Sequence, residues 1–192
     1  MSYFSFFLNN ILISNLVLVQ FLGLCPFMGT SKKFSSAIGL GCATILVITC
    51  ASIFSYLINC YVLILLHLEC LRIMTYMLLI AVNVQIIEIV LKKFSPVLYR
   101  VLGIYLSLIT SNCSVLALPL LSLHFNFNFF KSILYGFSSS IGFFLVLVIF
   151  SSIRERLFIS NIPIPFRGSP IALITASLMS VAFMGFSGLV NI

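Results

Sequence analysis

Side chains that could do metal, redox or proton chemistry are few in this 192-residue sequence: six cysteines, three acidic residues and two histidines. Two cysteines stand apart by their neighbours. Cys25 lies among Gly23, Pro26 and Gly29, and Cys113 lies among Ser111, Asn112 and Ser114. All of these are residues that interrupt a helix and let a thiol turn towards a ligand. Two thiolates are half of a four-cysteine iron–sulfur set, so such a pair suggests a cluster shared with a second chain. The other reading is that both are small buried hydrophobes. Cys42 and Cys50, eight residues apart in a regular apolar run, read as packing. Cys60 and Cys70 flank a loop where an oxidising compartment would permit a disulfide.

Glu88, with Asn83 and Gln85 upstream, is the only acidic residue inside an apolar run. An intramembrane carboxylate often marks an ion or proton path, and Glu88 and Asn83 are candidates for one. Lys92, one turn away, offers a simpler interfacial pair. His67, Glu69 and Arg72 sit at the edge of an apolar run, and His124 reads as solvated. Asn15 and Gln20 read as hydrogen bonds between helices. Arg154-Glu155-Arg156 reads as a solvated helix end, and the proline-rich stretch from Pro163 to Pro170, with Arg167, as a stiff basic loop. Phosphate-loop, dinucleotide, zinc-protease and serine-hydrolase motifs are absent, so a self-contained soluble-type enzyme is not expected.

The elements that position these residues are set by composition. The chain is 62% hydrophobic and 7% charged, with a mean hydropathy of +1.28. Soluble domains run about 25% charged, and 13 charged side chains cannot cover the surface of 192 residues. The fold class is an all-α integral membrane protein, its partner the lipid bilayer. The net charge of +7 comes from basic residues scattered between apolar runs, with no basic stripe to follow a phosphate backbone, so no nucleic-acid partner is expected.

A spanning helix needs roughly 20 apolar residues. Six runs qualify: Phe4–Leu24, Ala37–Asn59, Leu71–Leu91, Val101–Leu121, Phe130–Ser152 and Ile171–Val190. They predict one six-helix domain over residues 1–192. Lys32, Lys33, Lys92, Lys93, Arg100, Arg154, Arg156 and Arg167 fall in the odd connections, against Arg72 and Lys131 on the other side. That bias puts the odd connections in the cytoplasm and both termini outside. Three spans per half predict two inverted three-helix repeats, about 1–94 and 95–192, with a site near the membrane midplane between them. The 88-residue spacing of Cys25 and Cys113 fits this weakly.

Straight helices would keep the two cysteines at different depths. Cys113 would lie about 18 Å from the cytoplasmic end of its span and Cys25 only about 8 Å from the same side. Broken helices near Cys25 and Cys113 would remove the mismatch, provided that protein covers the irregular backbone.

The stretches Phe21-Leu-Gly-Leu-Cys-Pro-Phe-Met-Gly29 and Leu108-Ile-Thr-Ser-Asn-Cys-Ser-Val-Leu116 together carry a specific resemblance. Ser95–Arg100, Leu134–Phe137, Ile153–Leu157, Pro165–Gly168 and Ala182–Gly188 extend it over essentially the whole chain. The sequence resembles the A-type membrane subunits of the Rnf (Rsx) ion-translocating electron-transport complexes. That family includes the D and E subunits of the sodium-pumping NADH:quinone reductase. The resemblance implies six helices in inverted triplets in a bacterial inner membrane, with periplasmic termini. It also implies a sister of opposite topology, similar to the E-type Rnf subunits, beside other membrane and peripheral redox subunits. Cys25 and Cys113 match the family's ligands to a [2Fe-2S] cluster shared with that sister; the other four cysteines match none.

The implied function is an electron relay through the cluster, coupled to movement of sodium or protons. The competing readings are a small secondary transporter with a midplane site and a structural anchor for redox subunits.

Overall fold

A computed structural model describes residues 3–12, 15–30, 34–63, 71–94, 108–125, 128–159, 163, 166 and 168–187. Every element among them is helical. In chain order they are α1 (Tyr3–Leu12), α2 (Leu16–Gln20), α3 (Leu24–Thr30), α4 (Phe34–Ile58, continued by a π-helical turn, Asn59–Leu63), α5 (Arg72–Phe94), α6 (Cys113–His124), α7 (Phe129–Ile159) and α8 (Ser169–Ser187).

The centre of the molecule is the antiparallel pair α4 and α7. Their sequences explain why they can approach closely. The buried face of α4 is rich in small residues, with Ser36, Ala37, Gly41, Ala43, Thr44, Ala51, Ser52 and Ser55. The buried face of α7 carries Ser132, Gly136, Ser139, Ser140, Gly142 and Ser151. A Cβ placed on Gly136 would come within 2.7 Å of Ser52 Oγ, and one on Gly41 would overlap the Phe144 ring. In a bilayer, lipid tails are as apolar as leucine. Helix association therefore rests on such close van der Waals contact and on hydrogen bonds. Leu40, Val47, Ile48, Val146, Leu147 and Phe150 fill the rest of the seam.

The outer faces are apolar as well. On α5, Ile73, Met74, Met77, Leu78, Val82, Ile86 and Ile89 are exposed, while Tyr76, Ile80, Asn83 and Val84 are buried. An exposed stripe of this kind suits hydrocarbon and not water.

Contacts are exchanged between the two halves. Helices α1 and α2 lie on α7, α2 also on α8, and α6 lies on α4, α5 and α7.

Among the described residues, three helical stretches are long and apolar enough to cross a membrane: Phe34–Tyr61, Arg72–Val90 and Phe129–Ile159. Leu108–His124 and Ser169–Gly185 are shorter apolar helical segments. The second, third and sixth expected spans match their helices to within a few residues. The fifth runs on to Ile159, so the 18-residue connection expected after Ser152 is in part helix. The first expected span is not one helix: it is α1 and α2, ended by a turn before α3. The fourth is interrupted at Ser111 and Asn112. Residues 101–107 of that span, Cys70 with its possible disulfide, His67, Glu69, and Lys32, Lys33, Arg100 and Arg167 of the charge count lie outside the described residues.

Candidate functional site

The break before Cys25 is made by the backbone. Phe21 has φ 54° and Gly23 φ 84°, two left-handed residues within three positions. Glycine adopts that region freely, whereas phenylalanine does so at a cost of order 1–3 kcal/mol. Pro26 is not the breaker. It falls in the first turn of α3, where a missing N–H costs nothing.

The break before Cys113 is made by a side chain. Asn112 is extended (φ −73°, ψ 117°) and caps α6, its Oδ1 accepting from the Ser114 amide at 3.1 Å. This is the usual asparagine N-cap. The Asn112 amide donates back to Ile109 O at 3.2 Å, closing the turn before it.

The two breaks meet. A Cβ on Gly23 would overlap Ser114 Oγ and stand 3.0 Å from both Asn112 Oδ1 and the Phe143 ring of α7. Glycine is therefore required at position 23 twice, for its left-handed backbone and for the approach of α6. Gly29 at the other end of α3 faces Leu108, just before the second break, at 3.5 Å from where its Cβ would be. Gly23, Asn112 and Ser114 are buried, yet Cys25 and Cys113 are both exposed. The helices are interrupted next to both cysteines.

Buried polar groups fasten the broken first span. Asn15, in the gap between α1 and α2, donates to Gly142 O at 2.9 Å and Ile11 O at 3.3 Å. Ser180 of α8 donates to Leu18 O at 2.7 Å, a carbonyl freed because α2 stops at Gln20. Asn10 donates to Ser138 Oγ at 3.3 Å. Phe27 of α3, 1% exposed, stacks on Phe150 with ring centroids 4.1 Å apart. Arg154 Nη1 donates to Met28 O at 2.8 Å. Arg154 is thus half-buried against α3 and is not the solvated helix end that its charged neighbours suggested. Only its fall one turn beyond the apolar face of Phe150 could have pointed to it.

The other candidates are not gathered here. Asn83 is buried, its Nδ2 without a partner among the described residues, and Glu88 is half-buried. Five residues of α-helix put them about 140° apart around α5, so they do not form one site on their own helix. Cys42 and Cys60 are exposed and Cys50 is half-buried.

Among the described residues no three His, Cys, Asp or Glu side chains cluster. Cys25 and Cys113 therefore find no third such side chain among the described residues. The donor set fits half of a four-thiolate iron–sulfur site: two exposed thiols at two breaks in mutual contact. Beside them, Asn112 Nδ2 and Ser114 Oγ are buried and have no hydrogen-bond partner among the described residues.

The family model described as Rnf-Nqr subunit, membrane protein, matches residues 3–190. A relative from Buchnera aphidicola subsp. Baizongia pistaciae, named as the A-type subunit of an ion-translocating oxidoreductase complex, is 65% identical over 191 residues. The match covers 100% of this chain and 98% of the relative. Proteins of the same name from Cronobacter sakazakii and Escherichia fergusonii are also similar. The first is 58% identical over 189 residues, covering 98% of both chains. The second is 57% identical over 190 residues, covering 99% of this chain and 98% of its own.

Proposed function

The chain belongs to the Rnf-Nqr family of membrane subunits, and from that premise we propose that Cys25 and Cys113 supply half the ligands of a [2Fe-2S] cluster. An E-type sister of opposite topology would supply the other two. The chain is a membrane subunit of an ion-translocating oxidoreductase complex, as its relatives are named. We place it in the bacterial inner membrane as six spans in two inverted repeats, with both termini periplasmic. The packing of α1 and α2 on α7, and of α6 on α4, supports the two-repeat part of that arrangement.

One observation carries the reading: the two breaks that bear the cysteines touch each other while both thiols stay exposed. Bound there, the cluster would supply a one-electron relay within the membrane. The chain's own residues bind it and shape its surroundings. Gly23 lets α6 approach α3. Phe27, Phe143 and Phe150 keep water from the inner side of the junction. Asn112 and Ser114 place buried polar atoms beside Cys113. Movement of sodium or protons would accompany a repacking of the two halves across the α4–α7 seam, the kind of two-state element that a local charge change can bias.

The test is iron content and low-temperature EPR of the anaerobically purified complex, beside Cys25→Ser and Cys113→Ser variants. Either substitution should abolish a reducible two-iron signal while the complex still assembles. An assembled complex whose signal survives both substitutions would overturn the assignment. Turnover that persists after the signal is lost would favour a structural anchor.

A further inference from the structure

The seven residues of α3 are too few to hold a helix by themselves. The position of Cys25 therefore depends on what grips α3 from outside. Two contacts from one face of α7 do so. Phe150 stacks on Phe27, and Arg154, one turn further along, donates to Met28 O. Cys25 lies about 160° around α3 from Phe27 and is exposed on the side away from this grip.

We propose that Arg154 is a positioning residue for Cys25. Its guanidinium holds the carboxyl end of α3 and, with Phe150, fixes where the thiol stands. A cation is favoured at that end of a helix, and a charged donor on a backbone carbonyl makes one of the stronger hydrogen bonds. A half-buried guanidinium in so apolar a chain needs such an acceptor. Arg156, two residues along, is exposed and carries the same charge, so it serves as the internal control for any role of charge in orientation. The proposal rests on the reading of Cys25 as a cluster ligand, but its test needs no iron.

The experiment uses the full chain with five of its six cysteines replaced by alanine, the one kept and labelled with a nitroxide being Cys25 or, separately, Cys113. Arg154→Gln should raise the ratio of mobile to immobilised label at Cys25 by about tenfold, the equivalent of one charge-assisted hydrogen bond. Label at Cys113 should be unchanged. Arg154→Lys should restore much of the immobilised fraction, and Arg156→Gln should leave both sites as they are. An unchanged Cys25 spectrum in Arg154→Gln would overturn the proposal. Equal loosening at Cys113, or an equal effect of Arg156→Gln, would overturn it too, since either marks a general role in folding or topology. Loss of the cluster reading, by contrast, would show only in the iron and EPR measurements.

Discussion

The two cysteine-bearing breaks reach the same geometry by different means. Before Cys25 the backbone turns through the left-handed residues Phe21 and Gly23. Before Cys113 no described residue from Leu108 on is left-handed, and the Asn112 side chain restarts the helix. The first break is held by contacts from α7 and α8, through Phe150, Arg154, Gly142 and Ser180. The second is held by its own cap. Two helix breaks beside a cysteine can therefore be made by unlike sequences.

Gly23→Ala should break the comparison most strongly. It places a side chain in a left-handed position, at roughly 1–2 kcal/mol, and drives a methyl into Ser114, at about 1–3 kcal/mol more. The thermal midpoint in detergent should fall sharply. Adding Ser114→Gly should recover the packing part of the loss and leave the backbone part. Full recovery would mean that the left-handed turn carries no cost.

Asn112→Ala should cost about 0.5–2 kcal/mol, the usual value of a helix N-cap. Asn112→Ser, which can still cap, should return most of it in the same thermal measurement. If alanine is as stable as asparagine, the second break is held by its surroundings, as the first is.

Phe21→Gly should have the smallest effect. It relieves the left-handed strain but adds freedom to the unfolded chain, so the thermal midpoint should stay within the shift expected for about 0.5 kcal/mol. A large loss would show that Phe21, 48% exposed, makes a contact that this strain sustains.

Much of the scaffold was legible in the sequence because long apolar runs leave a helix few alternatives. The runs at α4, α5 and α8 predicted those helices closely. The overshoot of α7 was not visible, because Arg154, Glu155 and Arg156 end a hydrophobic run without ending a helix: arginine and glutamate are good helix formers. The need for breaks near both cysteines followed from depth arithmetic and from the glycine, proline and asparagine around them. Which residue makes each break did not. Gly23, Pro26 and Gly29 stood as equal candidates, whereas the turn belongs to Phe21 and Gly23, and a left-handed phenylalanine has no sequence signature. Arg154 was read as a solvated charge because its acceptor is a backbone carbonyl 126 positions away, and no spacing rule reaches that far. The fit of Gly23 to Ser114 was hidden for the same reason.

The central claim is that folding brings Cys25 and Cys113 to one exposed patch, ready for a second chain. The most direct measurement is thiol cross-linking of the full chain in membranes, with Cys42, Cys50, Cys60 and Cys70 replaced by alanine. A short bifunctional maleimide should join the Cys25 and Cys113 peptides within one molecule, as read by mass spectrometry, and Gly23→Ala should reduce the yield. If both thiols react singly and no intramolecular bridge forms, the breaks do not meet as described, and the shared-cluster reading loses its geometric basis.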